Sequence, residues 1–217
     1  MPVKFKYDSI PLFPLKGALL LPKAKLPLNI FEPRYLKMVK DSLKSENRLI
    51  GMIQPLDRSN KKMAAMNNSN LYKIGCAGKI ISFDELEDGR FMITLSGYSR
   101  FSLVNLKEEP SGYLQAEVDW SSYSVDGENE KVQWDTRFES FLKIVSSYFS
   151  AKNISTDWNT LKNADHYNLI NSLSMLCPFE NYEKQALLEA HNITDRKNVL
   201  STLMEMASQN QGNDIIQ

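Results

Sequence analysis

The stretch LYKIGCAGKIISFDELEDGRFMITLSGYSRFSL, Leu71–Leu103, decides the fold class. Two apolar runs, Leu71 to Phe83 and Phe91 to Leu103, flank Glu87-Asp88-Gly89-Arg90. Asp-Gly between apolar runs signals a hairpin, because glycine accepts the positive φ that a type I′ turn requires. A third run, Tyr113–Trp120, follows Pro110-Ser111-Gly112 and sets Leu114, Ala116 and Val118 on alternate positions. The spacing predicts a three-stranded antiparallel meander.

Toward the N-terminus the chain is extended and punctuated. Pro11, Pro14, Pro22 and Pro27 exclude a helix, since each removes an N–H and restricts the residue before it. Leu26-Pro27-Leu28-Asn29-Ile30 alternates as a half-buried strand does, with Pro27 favouring an edge. The period then changes. Pro33 opens a helix at the position where its missing N–H costs nothing, and Tyr35, Leu36, Val39 and Leu43 repeat at helical spacing. Leu49–Ile53 reads as a short buried strand. Residues 57–70 are polar and Asn-rich, hence a loop. Met63 and Met66 sit in it: adaptable contact residues if exposed, core residues if a turn over Lys61–Met66 tucks them in.

Toward the C-terminus, Ser121–Lys131 is polar, acidic and poor in apolar residues, which makes it the domain boundary. Beyond it the period is helical. Phe138, Phe141, Leu142, Val145, Tyr148 and Phe149 line one face of a helix over 131–150. Asp157 caps a short turn bearing Trp158 and Leu161. Helices are expected over His166–Leu176 and Glu180–Ala190, and a last one capped by Thr194. The class is therefore α+β. Residues 1–120 form a β subdomain with one early helix, 121–130 a linker, 131–208 a helical bundle, and 209–217 a frayed tail.

Composition narrows function by exclusion. The 217 residues are 42% hydrophobic, which is ordinary for a globular chain. A chain of this size buries roughly 70% of its unfolded surface, enough for a core without staples. Basic and acidic residues balance at 26 each, so bulk charge does not drive polyanion binding. The balance hides an asymmetry: residues 1–120 carry 18 basic against 13 acidic side chains, the rest 8 against 13. No secretory leader is legible in the Pro- and Lys-broken N-terminus, and no run is long enough to span a bilayer, so a cytoplasmic location without membrane contact is expected. Cys76 and Cys177 lack any neighbour at metal-ligand spacing and read as buried small hydrophobes.

Searches for chemistry return little. Gly75-Cys76-Ala77-Gly78-Lys79-Ile80 has too few residues between its glycines for a phosphate loop, and Ile stands where Ser or Thr is needed. His166 and His191, the two histidines, have no nucleophile at a recognisable spacing. No G-x-S-x-G or H-E-x-x-H occurs. Asp84, Glu85, Glu87 and Asp88 surround the hairpin turn, where carboxylates act mostly as solvating charge. Neither a cofactor nor a metal is expected.

Longer words of the sequence are more specific. IPLFPLKGALLLPKAKLPLNIFEPRYLKMV resembles the opening of the Lon protease N-terminal, substrate-binding domain family. RLIGMIQP, YKIGCAGKI, EDGRFMITLSGYSRF and the Tyr113–Trp120 strand follow in that family's order, and LSMLCPFENYEKQALLEA is similar to its helical segment. Glu180 and Asn181 depart from the family's usual Ser/Thr/Asp cap and proline. The resemblance covers residues 9–207. It implies a PUA-like β pseudo-barrel followed by a helical bundle. It also implies close packing or a bulge at Gly75 and Gly78, a tight turn at Asp88-Gly89, a bend at Gly97, and a structural ion pair at Arg100, with Arg34 available to a carboxylate.

Full Lon proteases continue into an ATPase module with a phosphate loop and a protease module with a Ser-Lys dyad. The chain resembles their front part only, so a stand-alone, bacterial-type, non-enzymatic relative is expected, one to which a peptidase label would come by resemblance alone. The family's role implies partners: unfolded or specific protein segments, a protease or chaperone among their sources, bound by an adaptor or holdase in protein quality control. The expected surface is the seam between barrel and bundle plus the 57–70 loop, with Arg34, Tyr35, Met63 and Met66 as contact candidates. The alternative is nucleic acid, since PUA-like barrels bind RNA elsewhere and residues 1–62 carry 13 basic against 5 acidic side chains.

Overall fold

The computed structural model describes residues 8–56, 70–110, 112–124, 126 and 137–209. The strands are β1 Ser9–Pro14, β2 Lys25–Ile30, β3 Leu49–Ile53, β4 Ile74–Glu85, β5 Phe91–Glu108 and β6 Leu114–Asp119. A helix, α1 Pro33–Lys44, lies between β2 and β3, and a single 3₁₀ turn, Ser121–Tyr123, follows β6. The later helices are α2 Arg137–Ala151, α3 Trp158–Asn163, α4 His166–Leu176, α5 Asn181–Glu189 and α6 Ile193–Gln209. None of the described helices is long and apolar enough to cross a membrane.

The meander β4-β5-β6 is present, and β5 is longer than its hydrophobic run because it serves three neighbours. One edge of β5 pairs with β4 from Phe91 to Ser102. The other edge takes β2 over Phe91–Ser96 and β6 over Ser102–Glu108. β1 joins β6 to β3, antiparallel on one side and parallel on the other. The order β6-β1-β3-β4-β5, with β5 pairing back to β6, closes a pseudo-barrel and removes most free edges. Its interior holds Ile10, Leu12, Leu49, Ile53, Leu71, Ala77, Phe101, Ala116, Val118 and Trp120. Pro11 occupies a strand with neighbours on both sides, which strand chemistry disfavours; the register sets it opposite Gln115.

The hairpin turn differs from the expected type I′. Only Gly89 takes positive φ, at +79°, and Asp88 does not. The Gly89 N–H donates to the Leu86 carbonyl and the Leu86 N–H to the Arg90 carbonyl. That is a three-residue loop in which glycine supplies the left-handed step, a longer solution than the I′ pair. The Asp88 carboxylate accepts from the Arg90 N–H at 3.1 Å and its guanidinium at 2.7 Å, and these hold its pKa below the usual carboxylate range.

At Gly97 the strand passes against the backbone of Leu21. A Cβ there would stand 1.9 Å from the Leu21 carbonyl oxygen. The close approach lets Gly97 donate to Ala24 at 2.8 Å and accept from Lys23 at 2.9 Å. The bulge near Gly78 is present, as a register shift between Ala77 and Gly78. The Arg100 side chain pairs with Asp126 at 2.7 Å, both buried.

By contacts the chain divides into two compact units. The first holds the sheet, α1 and the segment Phe179–Leu188; the second holds α2, α3, α4 and α6. α5 therefore departs from the helical grouping that periodicity assigned to it. The reason is that it docks through polar side chains. Asn181 accepts the Gly17 N–H at 3.1 Å and donates to the Pro55 carbonyl at 2.6 Å. Lys184 donates to the Gly17 carbonyl at 2.7 Å, and Gln185 to that of Ile74 at 3.1 Å. The Asn181 that departs from the family's usual proline is thus a docking residue, while Glu183 caps the helix by accepting the Glu180 N–H at 2.8 Å.

In the second unit α2 packs on α6 and α4 on α6. The expected apolar face of α2 is buried through Phe138, Phe141, Val145, Tyr148 and Phe149. Asp157 and Asp165 cap α3 and α4. The cap of α6 is Asn192 rather than Thr194: its Oδ1 accepts the Asp195 N–H at 2.8 Å. Asn192→Ala is expected to lower stability by about 1 kcal/mol in denaturant unfolding. Thr194→Ala should stay within about 0.5 kcal/mol, and equal losses would sink the assignment.

Candidate functional surface

A strand pair places directly opposite residues on one face. On the β2–β5–β4 limb the register aligns Leu26–Leu95–Ile80, Leu28–Ile93–Phe83 and Ile30–Phe91–Glu85; this row is buried over most of its length and opens to solvent on β4, where Phe83 is 37% exposed and Glu85 is exposed. α1 belongs to this same unit, where Lys40 reaches to 5.2 Å over the Phe91 ring. The outward set is Lys25–Ser96–Lys79, Pro27–Thr94–Ser82 and Asn29–Met92–Asp84. Phe31 continues the outward phase of β2 one residue past its end. Ile81 is the extra residue at the register shift between Ile80 and Ser82.

The outward face is mostly polar, but large apolar side chains on this limb are exposed. Phe31 is 64% exposed, Ile81 50% and Met92 37%. Pro27 is exposed among them. Scattered single apolar side chains are ordinary on a surface; several exposed on adjacent strands make this limb the candidate contact surface. Its edge is acidic: Asp84 and Glu85 end β4, and Glu87 and Asp88 form the turn, all exposed.

The contact candidates read from sequence fare differently. Tyr35 is 3% exposed and its ring lies against Phe13 at 4.4 Å, so it is a core residue with no face for a partner. Burial pushes its hydroxyl up to about 12. Arg34 stays half-buried and pairs with the Glu32 carboxylate at 2.6 Å. Met63 and Met66 lie outside the described residues. Phe31, Ile81 and Met92 escaped sequence reading. Met92 carried a usable signal, since it is apolar out of phase with Phe91, Ile93 and Leu95.

The helical unit carries a groove of about 800 Å³ lined by Phe138, Leu142, Trp158 and His166, with Lys143 and Lys162 at its rim. The His166 imidazole stacks on Phe138 at 3.4 Å, and burial lowers its pKa. Glu139 also lines the groove, so the lining mixes both signs. Cys76 and Cys177 are free and buried. Among the described residues no three His, Cys, Asp or Glu side chains are placed to hold a metal ion.

A closed small barrel joined to a helical region is the architecture of Lon N-terminal domains. A Lon N-terminal domain protein from Xanthomonas campestris superposes with a TM-score of 0.59 at 23% identity, over 92% of this chain and 98% of that one. The N-terminal domain of a Mycobacterium avium complex Lon protease gives 0.60 at 16% identity, over 91% and 98%. Residues 9–206 match the family model of the ATP-dependent protease La (LON) substrate-binding domain, and the chain belongs to that family. Among curated relatives, the Lon protease of Buchnera aphidicola subsp. Acyrthosiphon pisum is 25% identical over 201 residues, 91% of this chain. That of Flavobacterium johnsoniae is 25% identical over 206 residues. The chain spans about a quarter of the length of these relatives. The matched region is that family's substrate-binding module.

Proposed function

We propose that the chain captures unfolded or specific segments of other proteins on the outward face of the β2–β5–β4 limb, as an adaptor or holdase in protein quality control, and does not itself cut them. The observation that carries the reading is the exposure of Phe31, Ile81 and Met92 at the β2, β4 and β5 strands of one limb. Covering a phenylalanine side chain is worth about 1.5–3 kcal/mol. A few such contacts suffice for the weak, reversible capture that a holdase needs. The side chains that form the patch supply surface and no nucleophile or proton relay, which suits retention rather than cleavage. Arg34, at the head of α1, is the remaining polar contact candidate.

The test compares the chain with a Phe31→Ser/Met92→Ser variant. Both sites are outward, so the variant should unfold at nearly the wild-type temperature. Binding of a chemically denatured client, followed by fluorescence anisotropy, is expected to weaken at least about tenfold. Suppression of client aggregation should fall in parallel. Undiminished binding in the variant would move the site away from this face.

A further inference from the structure

We propose that captured segments add to the β2–β5–β4 limb as a new strand, pairing backbone to backbone with the free edge of β4 over residues 81–85. The proposal rests on the capture reading above and names the class of segment: an unfolded stretch of another protein that can lie extended with its N–H groups free. Its basis is a row of backbone donors and acceptors that the barrel leaves without a neighbour.

β4 outruns one of its two neighbours. β5 accompanies it on one side from Ile74 to Glu85. On the other side β3 accompanies it only from Cys76 to Lys79, and the Ile80 N–H ends that ladder by donating to the Arg48 carbonyl at 3.0 Å. Beyond Ile80, no strand among the described residues lies on that side. Residues 81–85 are all exposed. The N–H and C=O of one strand residue point to the same side, and successive residues alternate. Half of the backbone groups of residues 82–85 therefore face away from β5. The opposite edge of the limb, on β2, also has no outer strand, but Pro27 interrupts it and has no N–H to offer. β4 contains no proline.

The chemistry of such an edge specifies what completes it. Any apolar surface can cover an apolar face, whereas a row of alternating donors and acceptors is completed by an extended backbone. Ile81 is the extra residue at the register shift, and a bulge bends its strand and increases the twist. A second copy would bring the same bulge and the same carboxylates, Asp84 and Glu85, which are devices that hold folded edges apart. An unfolded segment bends to follow the twist. The regular part of the edge, residues 82–85, is about 13 Å long, so pairing there is short and reversible. An added strand also sets alternate side chains beside Phe83, whose ring packs on Phe91 at 5.0 Å, and the intervening ones in the rows of Thr94 and Met92.

The experiment uses the full chain and a labelled, unstructured peptide of alternating apolar and polar residues. Two further peptides keep its side chains but carry backbone N-methyl groups at alternate residues, one in each phase. Methylation in the phase that faces β4 is expected to weaken binding about tenfold, and in the other phase less than about threefold. With the parent peptide saturating, alternate amides within residues 82–85 should exchange with solvent at least about tenfold more slowly. Binding that both methylated peptides match, equal losses in the two phases, or unprotected amides in the complex each overturn strand addition and leave the capture surface standing. Protection of the same amides without peptide, growing with chain concentration, assigns the edge to a second copy and overturns the proposal. Failure of the parent peptide to bind overturns strand addition and capture together.

Discussion

Arg100→Met is expected to lower folding stability by about 3–5 kcal/mol, because it strands a buried carboxylate. The guanidinium meets Asp126 through Nη2 at 2.7 Å and Nε at 2.9 Å. The Arg100 backbone N–H reaches the same carboxylate at 2.8 Å. Its Nη1 donates to the Leu188 carbonyl at 3.1 Å, satisfying a helix C-terminal acceptor, and its plane lies 4.5 Å from the Tyr123 ring centre. Burial is the largest single influence and works against the charge of Arg100, yet the Asp126 hydrogen bonds and charge, with smaller contributions from Tyr123 and Cys76, together outweigh it and raise the pKa. For a chain of this length the loss corresponds to a fall of roughly 6–20 °C in Tm. An Arg100→Met/Asp126→Leu double variant removes both charges and should recover part of the loss. A single-variant loss below about 1 kcal/mol in denaturant unfolding would show that Asp126 finds water or another donor instead.

Gly97→Ala should cost about 3 kcal/mol, the upper end of what overpacking usually costs. The new methyl group would meet backbone, Leu21 O at 1.9 Å and Leu21 C at 2.8 Å, rather than a side chain that can swing away. The obstructing segment is itself held by the Lys23 and Gly97 hydrogen bonds, so yielding means losing them. Hydrogen exchange at the Lys23 and Gly97 amides should accelerate in the variant beyond the general loss of stability. A variant with wild-type midpoint and protected amides at both positions would contradict the close approach.

These effects show what the sequence could and could not reveal. Local signals were legible where one residue's chemistry decides a local conformation. Pro33 starts α1, Asp157 caps α3, and Gly89 makes the hairpin step. The apolar face of α2 followed from its period. Long-range polar docking left no such trace. Asn181, Lys184 and Gln185 are buried, yet a hydrophobic periodicity counts them as solvent-facing. Asn192 and Thr194 are both acceptable caps, and only the backbone geometry distinguishes them. Tyr35 looked like a contact residue because aromatic burial and aromatic exposure read alike in one dimension. The outward patch was hidden for the complementary reason. Phe31 and Ile81 lie at a strand end and a bulge, where alternation no longer says which way a side chain faces.

The polar docking of α5 also sets an order on synthesis. A ribosome delivers every strand of the barrel by Asp119. The partners that bind Gly17, Pro55 and Ile74 through Asn181, Lys184 and Gln185 emerge only after α2, α3 and α4. Until then the nascent barrel keeps these backbone groups hydrated and lacks its final helix. A fragment cut at the polar 121–131 stretch is therefore an unfinished barrel, and a shorter piece that folds autonomously must carry Phe179–Leu188 with it.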